Sequence, residues 1–360
     1  MSSLPDRTDV AGTPSNSTAK TALAALFDFV AQRMARGTTG AGSASSAELA
    51  SARDSLGVPL PNWLYNPDGA IYQRTVAATA DDTYAEDRWY VLTQTASVTP
   101  SQQSNPENGY RYASRLTQSQ AAAQRMGYAQ IIEGKDAIPL RGKTVTFGGR
   151  FKLSTSANLR LAILAWTGTE DSVTSDVVND WTNATIATGA FFASSNLSLV
   201  ATSSTALTAA TAGDASVSGA VPVGTTNLIV FYWTEATAAQ NVTLDAWGRR
   251  LIESSYLNEH IRRSHSTELD ECRRFYERWT HTSANLFMVN FVAGGQAASH
   301  ILGRVEKRTS PSITIHSQTL INCTLGVFAN NAIAHGITIT SSAAGLAYVT
   351  ALDASISAEF

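Results

Sequence analysis

The stretch NLIVFYW, residues Asn227–Trp233, sets six consecutive apolar, β-branched or aromatic side chains behind one asparagine. It is too short for a self-sufficient helix and rich in the residues that suit a pleated surface, so it predicts a strand. Five stretches share its texture: RWYVLTQ (Arg88–Gln94), YRYASRL (Tyr110–Leu116), TVTFGGRFKL (Thr144–Leu153), LRLAILAW (Leu159–Trp166) and NVTLDAW (Asn241–Trp247). Several alternate with period two, clusters of Gly, Asn, Pro and Ser separate them, and no long helical pattern interrupts. That pattern predicts an antiparallel sandwich over residues 59–258, with enough strands for a jelly roll. The tract from Ser194 to Val223 is nearly all Ala, Ser, Thr and Gly, and reads as a long loop or as weak edge strands.

The texture differs on both sides of this block. In residues 1–58, Leu23, Leu26, Phe27, Val30 and Met34 recur at helical steps and Gly37 supplies a stop, giving one short helix with one apolar stripe. A capping-box pair, Ser45 with Glu48, opens a second helix ended by Gly57 and Pro59. Such a stripe needs a cover, in the next domain, in copies of itself or in a partner protein. Beyond Leu257, Leu269, Cys272, Tyr276 and Trp279 suggest a short helix within a hinge over 259–282, with a strand start as the alternative. Residues 283–360 carry six more strand-like stretches and predict a smaller β-sandwich. The expected class is mainly β, with a helical leader.

Composition narrows the function. Among 360 residues, 26 Lys and Arg oppose 29 Asp and Glu for a net charge of −3, so no general attraction to nucleic acid is expected. Two cysteines, Cys272 and Cys323, make neither a disulfide framework nor a zinc site, and both read as buried apolar residues. The start MSSLPDRTDV has no signal-peptide pattern and no apolar run reaches about 18 residues, so neither export by that route nor membrane insertion is expected. The nucleophile-elbow, zinc-protease and phosphate-loop motifs are absent, no β-helix repeat is visible, and no cofactor is implied.

NWLYNPDGAIYQR (Asn62–Arg74) and TYAEDRWYV (Thr83–Val91) resemble the opening of jelly-roll domains in tailed-phage fibre and prophage structural proteins. Tyr72, Gln73 and Arg74 match its middle element, and Tyr84, Asp87, Arg88 and Trp89 its last. The stretches Ala129–Lys152 and Asn227–Glu253 continue the likeness, and Glu268–Arg278 is similar to the hinge that follows such domains. The resemblance implies a virion fibre or spike, a homotrimer held to other virion proteins by its N-terminus and facing a bacterial surface polysaccharide with its C-terminal domain. It also implies a carbohydrate-binding-module-like fold for the middle domain, which names a fold and not a site. A purely structural virion adaptor is the alternative, and a glycan depolymerase a third reading.

Candidate sites follow from chemistry. Sugar rings stack on exposed aromatics, for which Trp166, Trp181, Tyr232 and Trp233 qualify, while Trp89 and Trp247 read as core. Trp181 sits in a polar segment with Asn179, Asp180 and Asn183, so it is either a stacking platform or a plug at the end of the sandwich. If the C-terminal block is outermost, its Asn285, Asn290, Gln296, His316, Asn330 and Asn331 are the rival glycan-binding set. Glu170 with Asp171, and Asp176 with Asp180, are the only carboxylate pairs suggestive of hydrolysis, and Asp176, Asn179 and Asp180 alone do not fix a calcium ion, so no metal is assigned. Arg88 is expected to join a structural network with Asp87 or a neighbouring strand. Arg262, Arg263, Arg273, Arg274 and Arg278 suit an acidic polysaccharide, but they alternate with Glu259, Glu268, Asp270, Glu271 and Glu277 and are expected to pair, preferably between chains.

Overall fold

The computed structural model describes residues 60–360 apart from 75–76, 78, 108, 259, 282–286, 293–294, 296 and 302–304. The leader stripe, Asn285 and Gln296 lie outside the described residues. Residues 60–360 form one unit. Its elements, in chain order, begin with β1 (Thr83–Glu86), β2 (Trp89–Thr93), β3 (Thr99–Glu107), β4 (Tyr110–Thr117), β5 (Met126–Ile132) and α1 (Gly134–Ala137). There follow β6 (Thr144–Leu153), β7 (Ala157–Trp166), β8 (Leu197–Leu207), β9 (Gly213–Ala220), β10 (Asn227–Thr234) and β11 (Thr243–Ile252). Antiparallel pairing arranges these strands as two sheets, β1-β2-β5-β10-β7-β8 and β3-β4-β11-β6-β9. The expected jelly-roll-like sandwich is therefore present.

The unbroken apolar run of β10 has a physical cause. Leu228, Val230 and Tyr232 point into the core between the sheets, with Leu159, Leu161 and Ile163 of β7 beside them and Phe147, Phe151 and Leu244 opposite. Ile229, Phe231 and Trp233 point the other way, into a second core. The connection between β7 and β8, residues 167–196, covers that outer face with Val173, Val177, Trp181, Phe191 and Phe192. Phe231 and Trp233 stack at 4.4 Å, and Phe191 stacks on Trp233 at 5.2 Å. A strand buried on both faces loses its polar alternation. The low-complexity tract resolves into β8 and β9, the edge strands of the two sheets. Small polar residues suit that position, because an edge half faces solvent.

The hinge helix α2 spans His265–Arg273, with Ser264 as its N-cap, and ends before Tyr276. Tyr276 instead opens β12 (Tyr276–His281), so the strand start weighed as the alternative is also realised. The remaining strands are β13 (Phe287–Phe291), β14 (Ala297–Ile301), β15 (Ser312–Ile321), β16 (Cys323–Ala329), β17 (His335–Ser341) and β18 (Gly345–Ser357). β12 and β13 flank one side of the long β18 and β15 the other, while β14-β17-β16 form the facing sheet. Phe291, Ile337, Ile339, Val349, Leu352 and Ile356 fill the space between them. This is the smaller second sandwich. Cys272 is buried as expected, and Cys323 is half-buried.

Residues that carry the family resemblance make an interlock at one end of the first sandwich. Arg249 is fully buried: its guanidinium lies 3.9 Å from the Trp89 ring centroid, 2.7 Å from Glu86, and donates to Tyr232, Ser114 and the Asn66 and Pro67 carbonyls. Arg88 is also buried, donating to the Ile131 carbonyl, lying 3.5 Å from the Phe275 ring centroid and pairing at 2.7 Å with Glu359 near the end of the chain. Its network is structural as expected, but its carboxylate is neither Asp87 nor on a neighbouring strand. Asp87 instead accepts from the Gln73 amide and side chain.

Hinge charges find carboxylate partners within the chain itself. Arg263 meets Glu268 at 3.3 Å, Arg274 meets Glu133 at 2.9 Å and Arg278 meets Asp353 at 2.7 Å. Two of these partners lie far away in sequence, where no helical spacing could indicate them.

Candidate functional site

The motif Asn66-Pro67-Asp68-Gly69 builds a tight turn against the interlock. Asn66 and Gly69 both have positive φ, 50° and 63°. A Cβ at Gly69 would come within 2.5 Å of Ser114 Oγ, so glycine is required there. Arg249 holds the turn from inside through the Asn66 and Pro67 carbonyls, which leaves the Asp68 carboxylate on the outer side. There Asp68 accepts from the Gly248 N–H at 2.8 Å and lies 3.3 Å from both His260 Nε2 and Arg262 Nε. Burial pushes its carboxyl up, but the imidazole, the Gly248 N–H and the Arg262 charge outweigh this and hold it below the ordinary range.

A bulge in β11 places Tyr110 over this turn. Gly248 sits at φ 57°, and a Cβ there would approach the Tyr110 hydroxyl to 2.9 Å. Arg262 lies 4.2 Å from the Tyr110 ring centroid and His260 stacks on the same ring at 6.1 Å. Next to it on β4, Arg111 is exposed and lies 5.3 Å from the Tyr112 ring centroid. Asp68, Arg111, Tyr112 and Arg262, with His265 and Glu268 of α2, line an open cleft of about 460 Å3, while Tyr110 and His260 support Arg262 and Asp68 from behind. Arg263 and the Asn66 N–H both reach Glu268; burial raises its carboxyl overall, and these two contacts oppose the rise.

The predicted glycan-binding residues lie elsewhere. Trp181 is only 9% exposed and packs edge-on against Phe191 and Phe231, which corrects its reading as a platform and leaves the plug. Trp166, Tyr232 and Trp233 are buried too, as are the expected core residues Trp89 and Trp247. Asn179 donates to the Ala190 carbonyl, and Asp180 accepts from the Thr182 N–H and hydroxyl in a local turn. Asp171 is occupied by the Gly134 N–H and the Asn227 amide. Among the described residues no group of three or more His, Cys, Asp or Glu is placed to hold a metal ion, and no helix is long and apolar enough to cross a membrane.

In the C-terminal sandwich, Asn331 accepts from the Ile333 and Ala334 N–H groups and so has a structural duty the sequence did not reveal. Asn330 is exposed in the same turn. His316 meets the Ser355 hydroxyl at 2.9 Å. Asn290 stands opposite Leu346, whereas His316 lies in the bulge opposite Ala354 and Asp353. Along an extended β18 that separation is roughly 25 Å. The set does not converge on one site, which corrects its reading as one.

The sequence reading missed Asp68, Arg111, Tyr112 and His265 as a site. N-P-D-G carried a turn signal, and the Arg262 cluster was visible, but nothing local indicated that a hairpin 150 residues earlier would meet it.

No family model matches the chain, and no curated protein is similar to it. Among solved structures it is similar to the carbohydrate-binding module TmCBM61 in complex with β-1,4-galactotriose, at 11% identity and TM-score 0.33 over 54% of this chain and 99% of that one. It is similar to the CBM22-1 xylan-binding domain of Paenibacillus barcinonensis Xyn10C, at 10% identity and TM-score 0.31 over 52% of this chain and 99% of that one. The enzymatically active domain of bacteriophage CBA120 tailspike protein 4 aligns at 11% identity and TM-score 0.30, over 53% of this chain and 21% of that one.

Proposed function

We propose that this chain is a virion fibre or spike protein that attaches its particle to a bacterial surface by binding saccharide, without catalysis. The observation that carries the reading is the open cleft, in which exposed Arg111, Arg262 and His265 stand beside Asp68 and Glu268, both fixed by the scaffold. Ring-sized clefts with convergent polar groups suit small polar ligands such as sugars. Both cleft carboxylates are committed, Asp68 to His260 and Arg262 and Glu268 to Arg263, which favours holding a ligand over general acid and base work. The test is binding to intact host cells. Purified protein should bind them and lose binding once surface polysaccharide is stripped; binding that survives stripping would overturn the saccharide reading.

A second observation supports assembly with protein. On the outer face of the β18 sheet, Met288 pairs across to Tyr348 and Tyr348 to Ile321, with Leu346 two residues along. Met288 is 57% exposed, Leu346 46% and Ile321 41%. An apolar row of this kind marks a contact surface, and we read it as a face between copies of a homotrimer, with the leader joining other virion proteins. Light scattering tests this, since a monomer at micromolar concentration would contradict it.

A further inference from the structure

We propose that the cleft takes a carboxylate-bearing saccharide, of the uronic acid kind, and that Arg111 is the group that recognises the acid. The inference rests on the saccharide reading above and goes beyond it by naming the ligand's charge and the residue that reads it.

Charge in the cleft is unbalanced. Arg111, Arg262 and Arg263 face two carboxylates, Asp68 and Glu268. Arg263 is spent inside the scaffold, on Glu268 and on the Leu64 and Asn62 carbonyls. Arg262 meets Asp68 with one edge only, at 3.3 Å. Arg111 is exposed, and among the described residues it reaches no carboxylate; its guanidinium lies 5.3 Å from the Tyr112 ring centroid. A guanidinium placed over a ring is positioned without being neutralised, so its planar donors stay available for a planar acid.

The surrounding groups set the rest of the ligand. Asp68 is held ionised, so the lone pairs that Gly248, His260 and Arg262 leave open accept from hydroxyls, and its charge turns the ligand's carboxylate toward Arg111. A volume of about 460 Å3 accommodates one or two sugar rings, whereas a lone inorganic anion would leave most of it to water. The acid, the hydroxyls and the size together describe an acidic sugar.

The experiment is calorimetric titration of the full chain with oligogalacturonate, with the neutral galactose oligomer of equal length, and with a short poly-glutamate peptide. Oligogalacturonate should bind at least tenfold more tightly than the other two, and Arg111→Ala should weaken it about tenfold or more at unchanged melting temperature. Arg262→Gln, at a half-exposed position, should weaken it less. Equal binding of the neutral oligomer, or indifference to Arg111→Ala, overturns the acid assignment while leaving saccharide binding standing. Equal binding of poly-glutamate overturns the sugar class. If no oligomer binds but cells are still bound through polysaccharide, the inference fails and the attachment reading survives; if cells are not bound either, both fail.

Discussion

At the scale of single residues, what stands out is how much buried charge the first sandwich carries at its closed end. Glu86 and Arg249 are both fully buried and 2.7 Å apart, and Ser114 bridges them. Ions removed from water are tolerated only when paired and hydrogen-bonded, and breaking such a pair costs about 3–5 kcal/mol. Arg249→Ala is therefore expected to lower unfolding free energy by about that amount in urea titration, and Arg249→Leu with Glu86→Leu by clearly less. A loss under about 1 kcal/mol for the single change would show that the pair does not hold the turn. Trp89 and Trp247 were legible as core from their strands. The partner of Arg88 was not, because Glu359 lies 271 residues away. For Trp181 the polar neighbourhood was a true signal with the wrong inference: its loop is polar outside because its aromatic underside is buried.

Elements were legible to the extent that their burial was one-sided. β6 shows buried and partly exposed residues in alternation near its end, and its stretch TVTFGGRFKL reads directly as a strand. β10 has every residue buried, so the sequence indicated a strand but not what covered its second face. The cover is the segment 167–196, which has no strand of its own among the named elements and depends on its aromatic contacts. Phe191 is fully buried between Trp181, Phe192 and Trp233. Phe191→Ala should cost about 3–5 kcal/mol by the cavity it leaves, and Trp181→Ala somewhat less at the rim. Neither change should alter oligogalacturonate affinity in protein that remains folded, since the cleft is built from other elements; a matched loss of affinity would place the ligand under this cover.

At the scale of the whole molecule, the residues that follow β18 pack back on the first sandwich. Glu359 pairs with Arg74 at 2.6 Å and Arg88 at 2.7 Å, and Arg308 lies 4.1 Å from the Phe360 ring centroid. Glu359→Ala leaves Arg88 buried without its carboxylate, so both sandwiches should lose stability together, seen as a single earlier urea transition; two separated transitions would show independent folding. A buried imidazole at the start of β17 adds a dependence on pH. His335 is buried near the enclosed Lys307–Glu277 pair, which closes at 2.8 Å. Burial, then the Lys307 charge, holds its imidazole below the ordinary value of 6.5. The unfolded chain thus takes up a proton near pH 6.5 that the folded chain refuses, so this contribution is full above about pH 6.5 and is lost as pH falls below it. Buried carboxyls raised in the folded state, Glu86 and Asp87 among them, act in the opposite sense, so the total profile mixes both. The clean measurement is the difference between wild type and His335→Gln. Between pH 7.5 and 5.5 the wild type should lose stability relative to the variant, by at most roughly 1.4 kcal/mol per pH unit; parallel profiles would mean that the imidazole titrates in the folded protein as it does in water.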